Sequence, residues 1–216
     1  MQPTANSYEY TYQNSNPEHH HAYLIAPLLE LIVQKALPSS STLRILDLGC
    51  GNGHLSYLIA QQGYEVVGID DSESGIKFAR LSYPNCQFIQ SSIYDLSGNN
   101  DLETSFDVVI SAEVIEHLLY PKELVRAAKK CLKPNGRLIL TTPYHGYLKN
   151  LVLALSGKLD RHFTVLWDGG HVKFFSVDTL KTMLESEGFT DMQFKFAGRL
   201  PLLWKSMLCS CTPIQS

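Results

Sequence analysis

Five short apolar runs, at residues 43–48, 65–69, 86–90, 106–111 and 137–142, are separated by segments whose apolar residues recur at helical spacing. Strands alternating with helices run mostly parallel, because each helix carries the chain back across a face of the sheet. The runs are near-continuously apolar, as expected when both faces of a sheet are covered. Helical segments are read at 54–62, closed by Gly63, and at 72–83, stopped before Pro84. A third spans 121–132, with Pro121 at its first position and Pro134-Asn135-Gly136 ending it. A last helix is capped by Ser176 and runs to about Glu187. Two closing stretches, 191–197 and 206–212, have no helix between them and are expected to pair as an antiparallel hairpin at the sheet edge. The expected fold is therefore α/β: a doubly wound, seven-stranded, mostly parallel sheet with a C-terminal antiparallel hairpin.

Ahead of this pattern, residues 1–18 are polar and helical spacing begins near Ala22. Pro27 is expected in that helix's first turn, where its missing amide costs little, with Leu28, Leu31, Ile32 and Leu37 facing a core. A linker at 38–42 follows, so residues 1–41 read as an N-terminal segment and cap helix, and 42–216 as the main domain. With 216 residues, 44% of them hydrophobic, the chain supports one sizeable core. Its net charge of −3 and lack of basic-aromatic clusters give no footprint for phosphate tracking, so no nucleic-acid partner is expected. The five cysteines (Cys50, Cys86, Cys131, Cys209, Cys211) are scattered and form no Cys-x-x-Cys pair. A zinc ribbon or disulfide framework is not expected, and a reducing, cytoplasmic setting fits. The first residues lack a basic region followed by a long apolar core, so no secretory leader is expected. No apolar run approaches the length of a membrane span.

The sharpest local signal is Ile45-Leu46-Asp47-Leu48-Gly49-Cys50-Gly51-Asn52-Gly53, at a strand-to-helix junction. Glycines there allow a tight turn and close approach of a ligand to the main chain. In open α/β sheets ligands bind beyond the carboxyl ends of the strands. The second strand ends at Asp70, an acid placed to accept hydrogen bonds from both hydroxyls of a ribose. The dinucleotide spacing Gly-x-Gly-x-x-Gly is not met, because His54 stands at its last place. Asp47, inside the strand end, would repel a pyrophosphate and suits a ligand bearing an ammonium or sulfonium.

This stretch resembles the class I S-adenosylmethionine (SAM)-dependent methyltransferases, whose first motif is an acid at a strand end followed by Gly-x-Gly-x-Gly. The resemblance implies SAM as cofactor, held by Asp47, Gly49, Cys50, Gly51, Asn52 and Gly53, with Asp70 and Asp71 at the ribose. Ser92 and Ile93 would flank the adenine, Ser92 standing where the family commonly has an acid. Ala112 and Glu113, after the fourth strand, would face the methyl group.

Glu113, Glu116 and His117 stand at i, i+3 and i+4 and share one face if the segment is helical. Three readings are open. Either the carboxylates simply suit a helix start, where the dipole favours them; or His117 is a general base for a hydroxyl nucleophile; or the set holds a divalent ion such as Mg²⁺, Mn²⁺ or Zn²⁺. Glu-Val-Ile-Glu-His is similar to the corresponding motif of ubiquinone-pathway O-methyltransferases and of small-RNA 2′-O-methyltransferases, where the set binds metal. The RNA enzymes add a later histidine, for which His171 is the match. The resemblance thus implies catalytic roles for His117, Glu113 and His171, and metal ligation by Glu113, Glu116, His117 and His171.

About thirty residues, 144–173, separate the fifth strand from the last helix, far more than a bare connection needs. They carry Tyr144, His145, Tyr147, Arg161, His162, Trp167 and His171 and the apolar run 151–155. They are read as a cap over a partly hydrophobic organic acceptor. Contact of the apolar run with a membrane surface is the weaker alternative, for want of a basic face. The expected function is methyl transfer from SAM to a small organic acceptor at oxygen; the alternatives are a non-catalytic SAM-binding regulator and an RNA 2′-O-methyltransferase.

Overall fold

The computed structural model describes residues 10–33, 42–98, 102–163 and 165–214. Seven strands form one sheet: β1 (Arg44–Leu48), β2 (Glu65–Asp70), β3 (Gln87–Gln90), β4 (Phe106–Ala112), β5 (Leu132–Pro143), β6 (Phe189–Ala197) and β7 (Ser206–Pro213). Their order is β3-β2-β1-β4-β5-β7-β6. The first five pair in parallel, and β7 runs antiparallel to both β5 and β6. The doubly wound α/β fold is the one expected. The closing hairpin is present too, but it folds back into the sheet, so that its second strand lies inside and β6 forms the edge.

Two apolar layers cover the sheet, as the strand pattern demands. On one face α4 (Pro121–Cys131) and α7 (Val177–Ser186) press Leu124, Val125, Leu180 and Leu184 onto Leu46, Leu48, Val109 and Leu140. On the other, α1 (His21–Val33) and α2 (His54–Ala60) bring Leu24, Leu28, Leu31 and Ile59 against Ile45, Val108, Ile110 and Ile139. The strands divide their residues between the two faces at period two. Every residue of β4 is buried, which makes it the sheet's axis. Helix starts follow local chemistry. The Ser72 hydroxyl accepts from the Gly75 amide at 3.0 Å ahead of α3 (Glu73–Ser82), and Ser176 and Thr179 form a reciprocal capping box ahead of α7.

Three local readings change. Pro27 lies inside α1, not in its first turn. A mid-helix proline costs about 3 kcal/mol, but four fully buried aliphatics, Leu24, Leu28, Leu31 and Ile32, hold the helix on the sheet, each contributing roughly 1.5–3 kcal/mol. Packing wins. Leu37 and residues 38–41 lie outside the described residues. Pro134-Asn135-Gly136 does not precede β5 but is absorbed as a bulge within it: Phe106 pairs with Leu132 and Val108 with Arg137, so the extra β5 residues loop out. Finally, the 144–173 insert contains two helices, α5 (Tyr147–Leu155) and α6 (Leu159–Phe163). Among the described residues no helix is long and apolar enough to cross a membrane.

Candidate active site

The order in which strands are added to the sheet reverses between the parallel neighbours β1 and β4, and a crevice opens beyond their carboxyl ends. The glycine turn lines it. Gly49 and Cys50 donate their amides to the Ile69 carbonyl at 2.8 and 3.0 Å, fixing the turn against β2. Gly49, Gly51 and Gly53 have φ of +80°, +53° and +76°, a region that penalises any Cβ. Protein side chains occupy the space that such a Cβ would need. It would collide with Val114 at Gly49, with the Tyr12 hydroxyl at Gly51, and with Ala79 and Phe88 at Gly53.

Two acids face the crevice. Asp47 is buried; its Oδ2 accepts from the Ser56 hydroxyl at 2.6 Å, while Oδ1 has no hydrogen-bond partner among the described residues. Asp70 accepts from the amides of Gly51 at 2.8 Å and Ser72 at 2.9 Å. Burial pushes both carboxyls up, each to about 6, and the charge of Asp70 adds to the rise at Asp47. An orphaned carboxylate oxygen beside a second acid fits a ligand that brings a positive charge and hydroxyl donors, as SAM does with its sulfonium and ribose. Cys50 is buried and its thiol is pushed well up by burial, so it packs rather than reacts. Ser92 and Ile93 follow β3, where the Ser91 amide donates to the Asp70 carbonyl at 2.9 Å, and Ile93 packs on the core. Asp71 is exposed next to Asp70, and Ala112 closes β4.

A segment that the sequence showed only as polar covers this crevice. The Tyr12 amide donates to Ser74 Oγ at 2.9 Å, and Ser72 Oγ donates to the Tyr10 carbonyl at 2.7 Å. Asn52 Nδ2 donates to the carbonyls of Asn14 and Asn16 at 3.2 and 2.9 Å, and the Tyr83 hydroxyl to Ser15 at 2.9 Å. Residues 10–16 are thus strapped across the glycine turn, with the Tyr12 ring buried over Gly51 and Gly75. Burial, and then the Asp70 charge, raise the Tyr12 hydroxyl's pKa, so it stays a neutral donor. The one sequence signal was the alternation Tyr8-Glu9-Tyr10-Thr11-Tyr12, a strand-like spacing in an otherwise polar stretch.

The segment after β4 is not an α-helix. Glu113 has φ +56°, and only a three-residue 3₁₀ turn, Ile115–His117, follows. Positive φ at a non-glycine residue is costly and clusters at functional sites. It also separates Glu113 from its expected partners. Glu113 Oε1 and Oε2 accept from the hydroxyls of Thr141 at 2.8 Å and Ser206 at 3.2 Å. Glu116, His117 and His171 do converge: one ligand atom from each lies within 4.8 Å of the others. The insert's end makes this possible, because the amides of Val172 and Lys173 both donate to the Glu116 carbonyl at 2.9 Å. Glu116 is fully buried; Oε2 accepts from Thr142 at 3.1 Å and Oε1 has no partner among the described residues. Burial and the neighbouring Glu113 push the Glu116 carboxyl well up, and burial pushes Glu113 to about 7. His117 donates Nδ1–H to the Gly169 carbonyl at 2.8 Å, which leaves Nε2 with its lone pair. Burial lowers both imidazoles, His171 to about 4, so both are neutral. Trp167 leans on the two rings, with centroids 5.7 and 5.9 Å away, and on Tyr10 of the strap at 6.4 Å.

Comparison with known proteins gives the family and the fold. The profile of a family described as a methyltransferase domain matches residues 18–193. A ubiquinone biosynthesis O-methyltransferase of Ruegeria sp. (strain TM1040) is 33% identical over 168 residues, 76% of this chain and 66% of that protein. One from Idiomarina loihiensis is 38% identical over 103 residues, 46% of this chain and 42% of that protein. The matched region thus spans about two fifths to two thirds of the length of these two relatives. The PH0226 protein of Pyrococcus horikoshii OT3 has the same fold, with TM-score 0.68 and 23% identity over 94% of both chains. So has the magnesium protoporphyrin IX methyltransferase of Synechocystis PCC 6803, solved with bound S-adenosylhomocysteine (TM-score 0.64, 22% identity, 87% and 80% covered). Fold and site define a Rossmann-like class of nucleoside-binding enzyme. Within it, the chain belongs to the SAM-dependent methyltransferase family.

Proposed function

We propose that the protein transfers a methyl group from SAM to an oxygen of a small organic acceptor, as the names of its ubiquinone-pathway relatives describe for them. The observation that carries the choice of oxygen is the convergence of Glu116, His117 and His171 at the rim of the cofactor crevice. The orphaned Glu116 Oε1 and two neutral imidazoles form a donor set suited to a divalent ion. Those three residues would hold the ion, which when bound supplies Lewis acidity toward an acceptor hydroxyl. Glu113 stands aside from the ligand set in this reading and keeps the turn in place through Thr141 and Ser206.

The protein's own groups do the positioning. Asp70 and the orphaned oxygen of Asp47 orient the donor, and the strap excludes water above it. His117, neutral and held by Gly169, has one free lone pair, on Nε2, which would ligate the ion when it is bound and take the acceptor's proton when it is not. Two measurements test this. Mn²⁺ titrated into the protein should give a bound-ion EPR signal that Glu116→Gln abolishes. Transfer of labelled methyl from SAM should fall at least tenfold in EDTA and return with added metal. Full transfer in EDTA with no bound Mn²⁺ would remove the metal role and leave His117 as the base.

A further inference from the structure

One anchor of the bend after β4 leads back to the N-terminal helix. Glu113 holds φ +56°, a conformation that persists only where its surroundings over-determine it. Two of its anchors come from one residue of β5. The Glu113 amide donates to the Thr141 carbonyl at 3.1 Å, and Oε1 accepts the Thr141 hydroxyl at 2.8 Å. The third comes from β7, where the Ser206 hydroxyl donates to Oε2 at 3.2 Å.

Ser206 does not set that third anchor alone. A hydroxyl carries a single proton and rotates to suit its partners. The main chain beside Ser206 is fixed from both sides: the Lys205 amide donates to the Ala197 carbonyl of β6, and the Lys205 carbonyl accepts from the Tyr144 amide, both at 2.9 Å. What remains to be set is the direction of the Ser206 proton. The Tyr23 hydroxyl lies 3.2 Å from Ser206 Oγ. Because Ser206 gives its proton to Glu113, Tyr23 is the donor in this contact. The chain from Tyr23 through Ser206 to Glu113 thus has one direction, and each link strengthens the next.

Tyr23 is itself well held. Its ring packs on the core that α1 builds against the sheet, and Lys205 Nζ lies over the ring face, 5.0 Å from the centroid. Burial pushes the phenol up to about 12, so it remains a donor at neutral pH. The charges of Glu113 and Glu116 are both felt at its oxygen, which places it beside the carboxylates. The same helix touches the cofactor side, where the His21 ring stacks on His54, the first residue of α2, with centroids 5.4 Å apart. Helix α1 therefore reaches both halves of the cleft, and Tyr23 is its contact with the half that carries the carboxylates.

We propose that Tyr23 is a positioning residue for methyl transfer: acting through Ser206, it holds Glu113 and so fixes the strained bend that presents Glu116 and His117 to the reacting oxygen. The inference rests on the oxygen-acceptor reading given above. It explains why a hydroxyl from the N-terminal helix ends on a serine of the late strand β7.

The test uses Tyr23→Phe, which keeps the ring and its contact with Lys205 and loses only the hydroxyl. Two readouts are needed. Hydrogen exchange followed by mass spectrometry should show faster exchange of the amides of residues 113–117, with the glycine turn unchanged. Labelled methyl transfer to catechol, a small hydroxyl acceptor, should show kcat reduced about tenfold, the scale of one lost hydrogen bond, with KM and SAM affinity little changed. Ser206→Ala should behave alike, and the double variant should be no slower than Ser206→Ala alone, because Tyr23 acts only through that hydroxyl. Ser206→Thr keeps the hydroxyl and should keep most of the turnover. Far-UV circular dichroism reports on the fold of each variant. Wild-type exchange in Tyr23→Phe, wild-type turnover in Tyr23→Phe, or losses that multiply in the double variant each overturn the proposal. Should the wild type leave catechol unmethylated, the acceptor reading is what fails. Exchange then decides the positioning role by itself: faster exchange over 113–117 in both single variants supports it, and unchanged exchange overturns it.

Discussion

The two sides of the cleft are built by opposite rules. On the cofactor side, main-chain amides of the glycine turn and of Ser72 are tied to Ile69 and Asp70, and each glycine's missing side chain makes room for a packed neighbour. On the side proposed for the acceptor, α5 and the stretch after α6 leave Tyr147, Leu155 and Leu166 in solvent, and the inward residue of α5 is a lysine. The first is a pre-formed cradle whose shape is specified by the protein alone. The second is a cover whose apolar side chains are left largely unpacked. Donor binding should therefore be intolerant of changes in the turn.

The largest effect expected is at Gly51. Gly51→Val must leave φ +53° and expel Tyr12, so SAM affinity by calorimetry should fall about 100-fold, or ~2.7 kcal/mol. Affinity kept within threefold would break the contrast, because the cradle would be as yielding as the cover. Asp70→Asn removes the charge and replaces one of the two amide-accepting oxygens with a donor, and a loss of about tenfold is expected on the scale of a charge-assisted hydrogen bond. Tyr12→Ala should leave the turn intact and unroof it. Stopped-flow release of S-adenosylhomocysteine should then be several times faster, with a smaller change in equilibrium affinity. An unchanged release rate would mean the strap does not gate the crevice.

The smallest effect is with pH. Asp47 and Asp70 bind protons more tightly folded than the usual 3.8, each at about 6. The stability they contribute is therefore present at low pH and declines as pH rises through about 6. SAM prefers the ionised pair, so its stabilisation of the fold should grow across the same interval. Melting curves with and without SAM at about pH 5 and pH 7 measure both slopes. A SAM-induced shift that does not grow with pH would argue that neither acid meets the cofactor's charge.

Much of the fold could be read because each strand's apolar run is short, bounded by turn residues and buried on both faces, as in β4. Asp47 and Asp70 were legible for the same reason: strand ends fix where a side chain emerges. What escaped depends on distance or on a single dihedral. Tyr12 meets Ser74 across 62 residues of sequence, and no local pattern encodes that contact. Glu113 matched helical spacing to Glu116 and His117, yet one positive φ turned it toward Thr141 and Ser206. His171 was named through the family resemblance, but the main-chain amides of Val172 and Lys173 that bring it to the cluster carry no residue signature. The apolar run in α5 read as packed cap, and its outward orientation became visible only with Lys149 beneath it.

The strand β7 lies between β5 and β6, and its first residue, Ser206, holds the Glu113 carboxyl. During synthesis the first five strands can assemble in sequence, but the sheet's far edge has nothing to pair with until that late segment leaves the ribosome and slots inward. A nascent chain halted before it would have the glycine turn and both crevice acids, yet would lack the residue that secures the bend after β4. Competence for chemistry thus arrives only once β7 has slotted into the sheet, well after the donor's cradle has taken shape.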